Sequence, residues 1–200
     1  MSSNRGKKFP PEILSPTEIE ALLRSLGRGV TAKRNAAAIV LMWRGGLRCA
    51  ESLSVRRCDL ELIDRGAILR ILKPKGAGRG VKPRVLALGK RTTDRIMPWL
   101  THRDAMGISE TAPLCCTLKG EAVCTSYFRH LFPRLARRAG IDKRVHAHAL
   151  RHTFAWEATL EGKSMPWVSN ALGHTDLLTT QRYLNHLAPA DVIEGMLERD

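Results

Sequence analysis

Three short stretches of the chain hold the residue types that do chemistry: Gly46-Leu47-Arg48-Cys49-Ala50-Glu51, then His148-Ala149-Leu150-Arg151-His152, then Leu172-Gly173-His174 with Tyr183 nine residues further on. Taken singly, each has a plain reading. Arg48, following two glycines, is an ordinary surface charge at a helix start, and Glu51 is a carboxylate on that helix. His148 and His152 lie four apart and form either a helix-surface pair or, with His146, a set of metal ligands. The metalloprotease pattern His-Glu-x-x-His is absent, because Ala149 stands at its second position. No G-x-x-x-x-G-K-[ST] phosphate loop occurs, and Gly76, Gly78 and Gly80 belong to a loop tip instead of a nucleotide cradle. The five cysteines, Cys49, Cys58, Cys115, Cys116 and Cys124, contain no C-x-x-C pair and sit in apolar stretches. They are expected to be buried, reduced and free of metal.

These stretches need elements to position them. Ser15-Pro16-Thr17-Glu18 supplies a capping hydroxyl, a proline suited to the first helical position and a Glu three residues after the cap, so a helix begins there. Its apolar face is Ile19, Leu22, Leu23 and Leu26, with Gly27 as its stop. A second helix is expected from Lys33 to Arg44, ending at Gly45-Gly46, and a short one around Glu51 to Val55. Two β-rich runs, Ala67 to Leu72 and Arg84 to Leu88, flank a basic glycine- and proline-rich loop and predict a hairpin. Apolar spacing then predicts helices over residues 90 to 100, 123 to 139, 149 to 161, 165 to 172, 176 to 185 and 189 to 198. The expected fold is mainly α with a small antiparallel β-sheet, in one unit over residues 13 to 200, preceded by a basic flexible arm over residues 1 to 12.

Together, in order and spacing, the three stretches resemble the catalytic domain of the tyrosine recombinases, or phage-type integrases. The likeness opens at Leu14-Ser15-Pro16-Thr17-Glu18 and runs through the Gly-Leu-Arg-x-x-Glu motif of residues 46 to 51. It continues through the hairpin with Val85-Leu86-Ala87-Leu88, the segment from Pro113 to Ile141, the His-x-Leu-Arg-His motif of residues 148 to 152, and residues 171 to 186. It covers about residues 13 to 187. Most members of that family carry a further N-terminal helical domain that closes around DNA; here the match begins almost at the first residue. The resemblance thus implies an isolated catalytic domain or a short recombinase.

The resemblance implies a reaction as well: strands of duplex DNA are cut and rejoined through a 3′-phosphotyrosyl intermediate. A phosphorane-like transition state gathers negative charge on its non-bridging oxygens, and planar, permanently charged guanidinium groups suit it. Arg48 and Arg151 match those positions. By resemblance His174 donates a further bond to a phosphate oxygen, His148 exchanges a proton with the nucleophile, and Glu51 supports the site. Tyr183 matches the nucleophile, since a phenolate forms an ester and later leaves. Tyr127, the other tyrosine, lies beside Phe128 and near Phe132 and reads as core. A hairpin lysine protonates the departing 5′ oxygen: Lys75 is the first choice, with Lys73 and Lys82 as alternatives. No metal and no nucleotide cofactor is implied.

Composition agrees with such a partner. The chain carries 33 Lys+Arg against 19 Asp+Glu, a formal net charge of +14, with 44% hydrophobic residues. That is a folded basic domain suited to a polyanion, not a disordered basic tail. Lys73, Lys82, Arg84, Arg137, Arg138, Lys143 and Arg144 are expected on the duplex-facing surface. No apolar run reaches the length of a membrane span and the N-terminus lacks a signal-peptide core, so a cytoplasmic protein is expected. The apolar positions Ala190, Val192, Ile193, Met196 and Leu197 form an amphipathic face. By resemblance this end packs on a neighbouring subunit, giving homo-oligomers assembled on double-stranded DNA, with an accessory protein as a further partner. The competing readings are a non-catalytic DNA-binding regulator of the same fold, a metal-dependent nuclease using His146, His148 and His152, and a type IB topoisomerase.

Overall fold

In the computed structural model, residues 12–72 and 83–174 are described. The basic arm, the hairpin tip with Lys73, Lys75 and Lys82, and the expected helices over 176 to 185 and 189 to 198 with Tyr183 lie outside the described residues. The chain runs α1 (Pro16–Arg24), α2 (Val30–Arg44), α3 (Cys49–Ser54), a 3-10 turn (Arg57–Asp59), β1 (Leu60–Ile63), β2 (Gly66–Ile71) and β3 (Arg84–Gly89). It then continues through α4 (Lys90–Ala105), α5 (Thr125–Ala139), α6 (Ala147–Leu160) and α7 (Met165–Leu172). The architecture is the expected one, mostly helical with a small three-stranded antiparallel sheet.

The capping box at α1 forms as its residues dictate: Glu18 N–H donates to Ser15 Oγ (3.2 Å), and Ser15 N–H donates to Glu18 Oε2 (2.7 Å). The helix stops at Arg24, a turn earlier than Gly27, and buries Ile19 and Leu22. α2 starts at Val30, three residues before the expected Lys33. It is the central helix, buried from Ala37 to Trp43 and packed between α4 and α6. It ends at Gly45-Gly46, where Gly46 takes φ +60° and a Cβ would stand 2.7 Å from the Phe154 ring. Only glycine permits both the left-handed turn and that approach.

β2 pairs with β3 from Gly66↔Gly89 to Ile71↔Arg84, and with β1 from Leu60↔Leu69 to Ile63↔Gly66. Leu69, Ile71 and Leu88 point into the core while Val85 faces solvent. β1 was not anticipated. α4 also runs one turn beyond the expected Leu100, because Trp99, Leu100 and the fully buried Arg103 keep its inner face in contact with the following loop: Trp99 Nε1 donates to the Leu114 carbonyl (2.7 Å) and Arg103 Nη1 to that of Ile108 (3.0 Å). A smaller apolar cluster, Ala155, Ala158, Val168 and Leu172 with Phe154 and Met165, joins α7 to α6. The end of α7 is thereby fixed against α6.

Candidate active site

Arg48 is the N-cap of α3. Its extended backbone (φ −65°, ψ 150°) leaves the N–H free to donate to Glu51 Oε2 at 2.9 Å, and its Nη1 donates to Glu51 Oε1 at 2.9 Å. The same spacing that suggested a surface carboxylate thus turns Glu51 inward, where its side chain is fully buried. Burial by itself would raise the Glu51 carboxyl, but hydrogen bonds and charge from Arg84, then from Arg48, outweigh it and hold the group below the ordinary carboxylate range. Glu51 is an anion at neutral pH, held by arginines.

Arg151, on the second turn of α6, is 1% exposed. It donates from Nη1 to the Gly46 carbonyl and from Nη2 to the Leu172 carbonyl (2.6 Å). The Leu172 carbonyl ends α7 and the Gly46 carbonyl lies just past the C-cap of α2, so a cation sits where unpaired acceptors and negative dipole ends gather. Nη1 also lies 4.0 Å from Glu51 Oε2. One guanidinium therefore ties together the three stretches singled out in the sequence.

His174 Nε2 lies 3.0 Å from Arg151 Nη2. A guanidinium has no lone pair to offer, so Nε2 is the acceptor, and the neutral ring carries its proton on Nδ1. Burial first, then Arg151, Arg48, Arg84 and His148, lower His174 to about 4. His148 is solvent-exposed at the mouth of the site; desolvation by the surrounding protein, then Arg151, His146 and Arg48, lower it from 6.5. Its ring centroid is 5.7 Å from that of His152, which burial and then His148, His146 and Arg151 lower to about 4. His146 caps α6, its Nδ1 accepting from Ala149 N–H (3.1 Å). Among the described residues no group of three His, Cys, Asp or Glu is placed to hold a metal ion. Of the cysteines expected to be buried, Cys115 and Cys116 are, and burial pushes the Cys115 thiol up to about 12, whereas Cys49 is half-buried and Cys58 and Cys124 are exposed. Tyr127 is half-buried, and its hydroxyl accepts from Asn35 Nδ2 (2.9 Å).

An open cleft of about 660 Å³ leads away from these groups. Arg48, His148 and Arg151 line it together with Arg129 and Arg144. Arg137 and Arg138 are exposed on the last turn of α5. Two others differ. Lys143 Nζ is shared with α1, donating to Glu18 Oε2 (2.9 Å) and the Ile13 carbonyl (3.0 Å). Arg84 is turned into the protein: its side chain is 8% exposed and its guanidinium grips Glu51 with Nη2 at 2.8 Å and Nη1 at 3.2 Å, while Nε donates to the Ala171 carbonyl (3.0 Å). The missed signal was strand alternation, which puts position 84 on the inward face with Leu86 and Leu88.

Residues 12–189 match the model of the phage integrase family. The chain is similar to the tyrosine recombinase XerD of Pseudomonas putida, 33% identical over 193 residues that make up 92% of this chain and 60% of that protein. It is likewise similar to the tyrosine recombinase XerC of Staphylococcus aureus, 25% identical over 90% of this chain and 58% of that protein. Among solved structures, the XerH site-specific recombinase bound to its palindromic difH substrate in a post-cleavage complex matches with a TM-score of 0.77 at 25% identity, over 97% of this chain and 55% of that one. The XerA recombinase matches in fold, with a TM-score of 0.78 at 24% identity over 96% of this chain and 66% of that one. The chain thus spans about three fifths of the length of the relatives it matches.

Proposed function

The chain belongs to the phage integrase family, and on that premise we propose that residues 13 to 200 form the catalytic domain of a site-specific recombinase acting on double-stranded DNA. The observation that carries the reading is the meeting of Arg48 and Arg151 at Glu51, with His174 held on Arg151, from three segments far apart in sequence. A scissile phosphate entering from the cleft finds two guanidinium groups and an imidazole, the donor set that stabilises a charged phosphorane. Arrival of the phosphate replaces His174 as the acceptor of Arg151, and the imidazole, once Nε2 carries the proton, donates to a phosphate oxygen.

In the proposed reaction the Tyr183 oxygen attacks phosphorus while its proton passes to His148, which is neutral and poised to accept it. The bond from phosphorus to the 5′ oxygen breaks, and Lys75 supplies the proton that this oxygen takes up. The reverse sequence on a new 5′ end rejoins the strand. Charge neutralisation comes from the side chains, so the scheme uses neither a metal ion nor a nucleotide cofactor. Arg137, Arg138 and Arg144 would seat the duplex through its phosphates. The reading extends to DNA-assembled homo-oligomers with residues 189 to 198 at the subunit contact, to an accessory protein, and to a cytoplasmic location. No helix among the described residues is long and apolar enough to cross a membrane.

The test is incubation with a nicked suicide duplex taken from the gene's own neighbourhood, in chelator, followed by a denaturing gel and peptide mapping. A DNA adduct on Tyr183 that disappears in Tyr183→Phe is the expected result. Binding with no adduct would move the protein to the regulator reading, and chelator-sensitive cleavage to a metal-dependent nuclease.

A further inference from the structure

We propose that Arg84 is a positioning residue of the recombinase site, acting through Glu51 and the end of α7 and never on the DNA itself. The inference rests on the recombinase reading above and adds a part to that site. Arg84 opens β3 and pairs in the sheet with Ile71, so it stands at the root of the hairpin whose loop carries Lys75. From there it makes three directed bonds: two to the buried Glu51 carboxylate and one to the Ala171 carbonyl. Its guanidinium also lies against Gly173, where an added Cβ would come within 2.7 Å of Nη1 and 3.0 Å of Cζ. The sheet, the carboxylate that orients Arg48 and the turn that presents His174 are thus fastened at one point.

Two physical arguments keep Arg84 off the phosphate. Reaching the DNA would strip two hydrogen bonds from a carboxylate that is fully buried, and opening a buried ion pair leaves an uncompensated charge. The Arg84 side chain is itself only 8% exposed, whereas Arg48, 28% exposed, opens onto the cleft. Lysine would keep the charge and lose the fork, because one ammonium cannot match both carboxylate oxygens and the carbonyl in fixed geometry. Arg84 therefore sets where the phosphate-binding groups stand, and small displacements there cost rate at the chemical step.

The experiment compares the full-length wild type, Arg84→Gln, Arg84→Lys, Glu51→Gln and the Arg84→Gln/Glu51→Gln double variant. Single-turnover adduct formation on the suicide duplex at saturating protein is measured beside duplex affinity at several salt concentrations. Arg84→Gln is expected to slow adduct formation by about a hundredfold, to leave affinity and its salt dependence as in the wild type, and to add little on top of Glu51→Gln. Should Arg84→Gln melt below the assay temperature, Arg84→Lys carries the comparison, with the same split between rate and affinity. A salt slope lower by about one unit with an unchanged rate would make Arg84 a phosphate contact and overturn the inference. So would an unchanged rate at an unchanged slope, or additive losses with Glu51→Gln. If the wild type itself forms no adduct, the recombinase reading fails and takes this inference with it; an active wild type beside equally active Arg84 variants removes the inference alone.

Discussion

The imidazoles around Arg151 set how the free protein answers acid. His152 and His174 are each held at about 4 against 6.5, by burial first and then by neighbouring cations, and His146 and His148 are lowered as well. Between about 4 and 6.5 the unfolded chain therefore binds more protons than the folded one at these positions. Their contribution to stability is complete above about 6.5 and is lost as the pH falls towards 4. Glu157, raised by burial, works in the opposite sense, but it is one group against four. The expected outcome is a melting midpoint that drops between pH 7.5 and pH 5, with a smaller drop in His152→Gln. Equal midpoints at the two pH values would show that the rings are not held neutral by the fold.

At the scale of the element, the turn after α7 decides whether His174 reaches Arg151. Gly173 takes φ +65° and lies against the Arg84 guanidinium, so Gly173→Ala meets both a left-handed backbone penalty and a collision. It is expected to cost more than ~1 kcal/mol, to move Arg84 and to weaken adduct formation; a variant that melts with the wild type and cleaves at its rate would refute this role. How much of this was legible beforehand varies by element. The capping residues at Ser15 to Glu18 and the glycines at 45 and 46 mark their helix ends through local chemistry alone, and both ends form. β1 escaped notice because three of its four residues are exposed, so it presents no buried alternation to read. Arg48, Glu51, Arg151 and His174 were legible as motif residues, but residue type does not say which cation faces solvent. Arg84 is therefore expected among the DNA-facing cations, although its tertiary partner Glu51 claims it.

Over the whole molecule, a net charge of +14 guarantees attraction to a polyanion but does not say which surface meets it. The structure narrows the choice. Arg134, Arg137 and Arg138 are exposed at spacings of three and four along α5, which places them on one helix face. From the same helix Arg129 lines the cleft together with Arg144, Arg48 and Arg151. A duplex laid along α5 would meet this stripe of exposed arginines. Each phosphate neutralised releases condensed counterions, so the logarithm of the binding constant falls linearly with the logarithm of salt, by about 0.9 for each contact. Replacing Arg137 and Arg138 together by Gln should therefore reduce the magnitude of that slope by about 2 for duplexes of any sequence, because backbone contacts carry no sequence information. Fluorescence anisotropy titrations from 50 to 200 mM salt (about the range where the effect is largest) would measure it. An unchanged slope would move the duplex to another face of the molecule, and a loss confined to one sequence would make these arginines readers of bases.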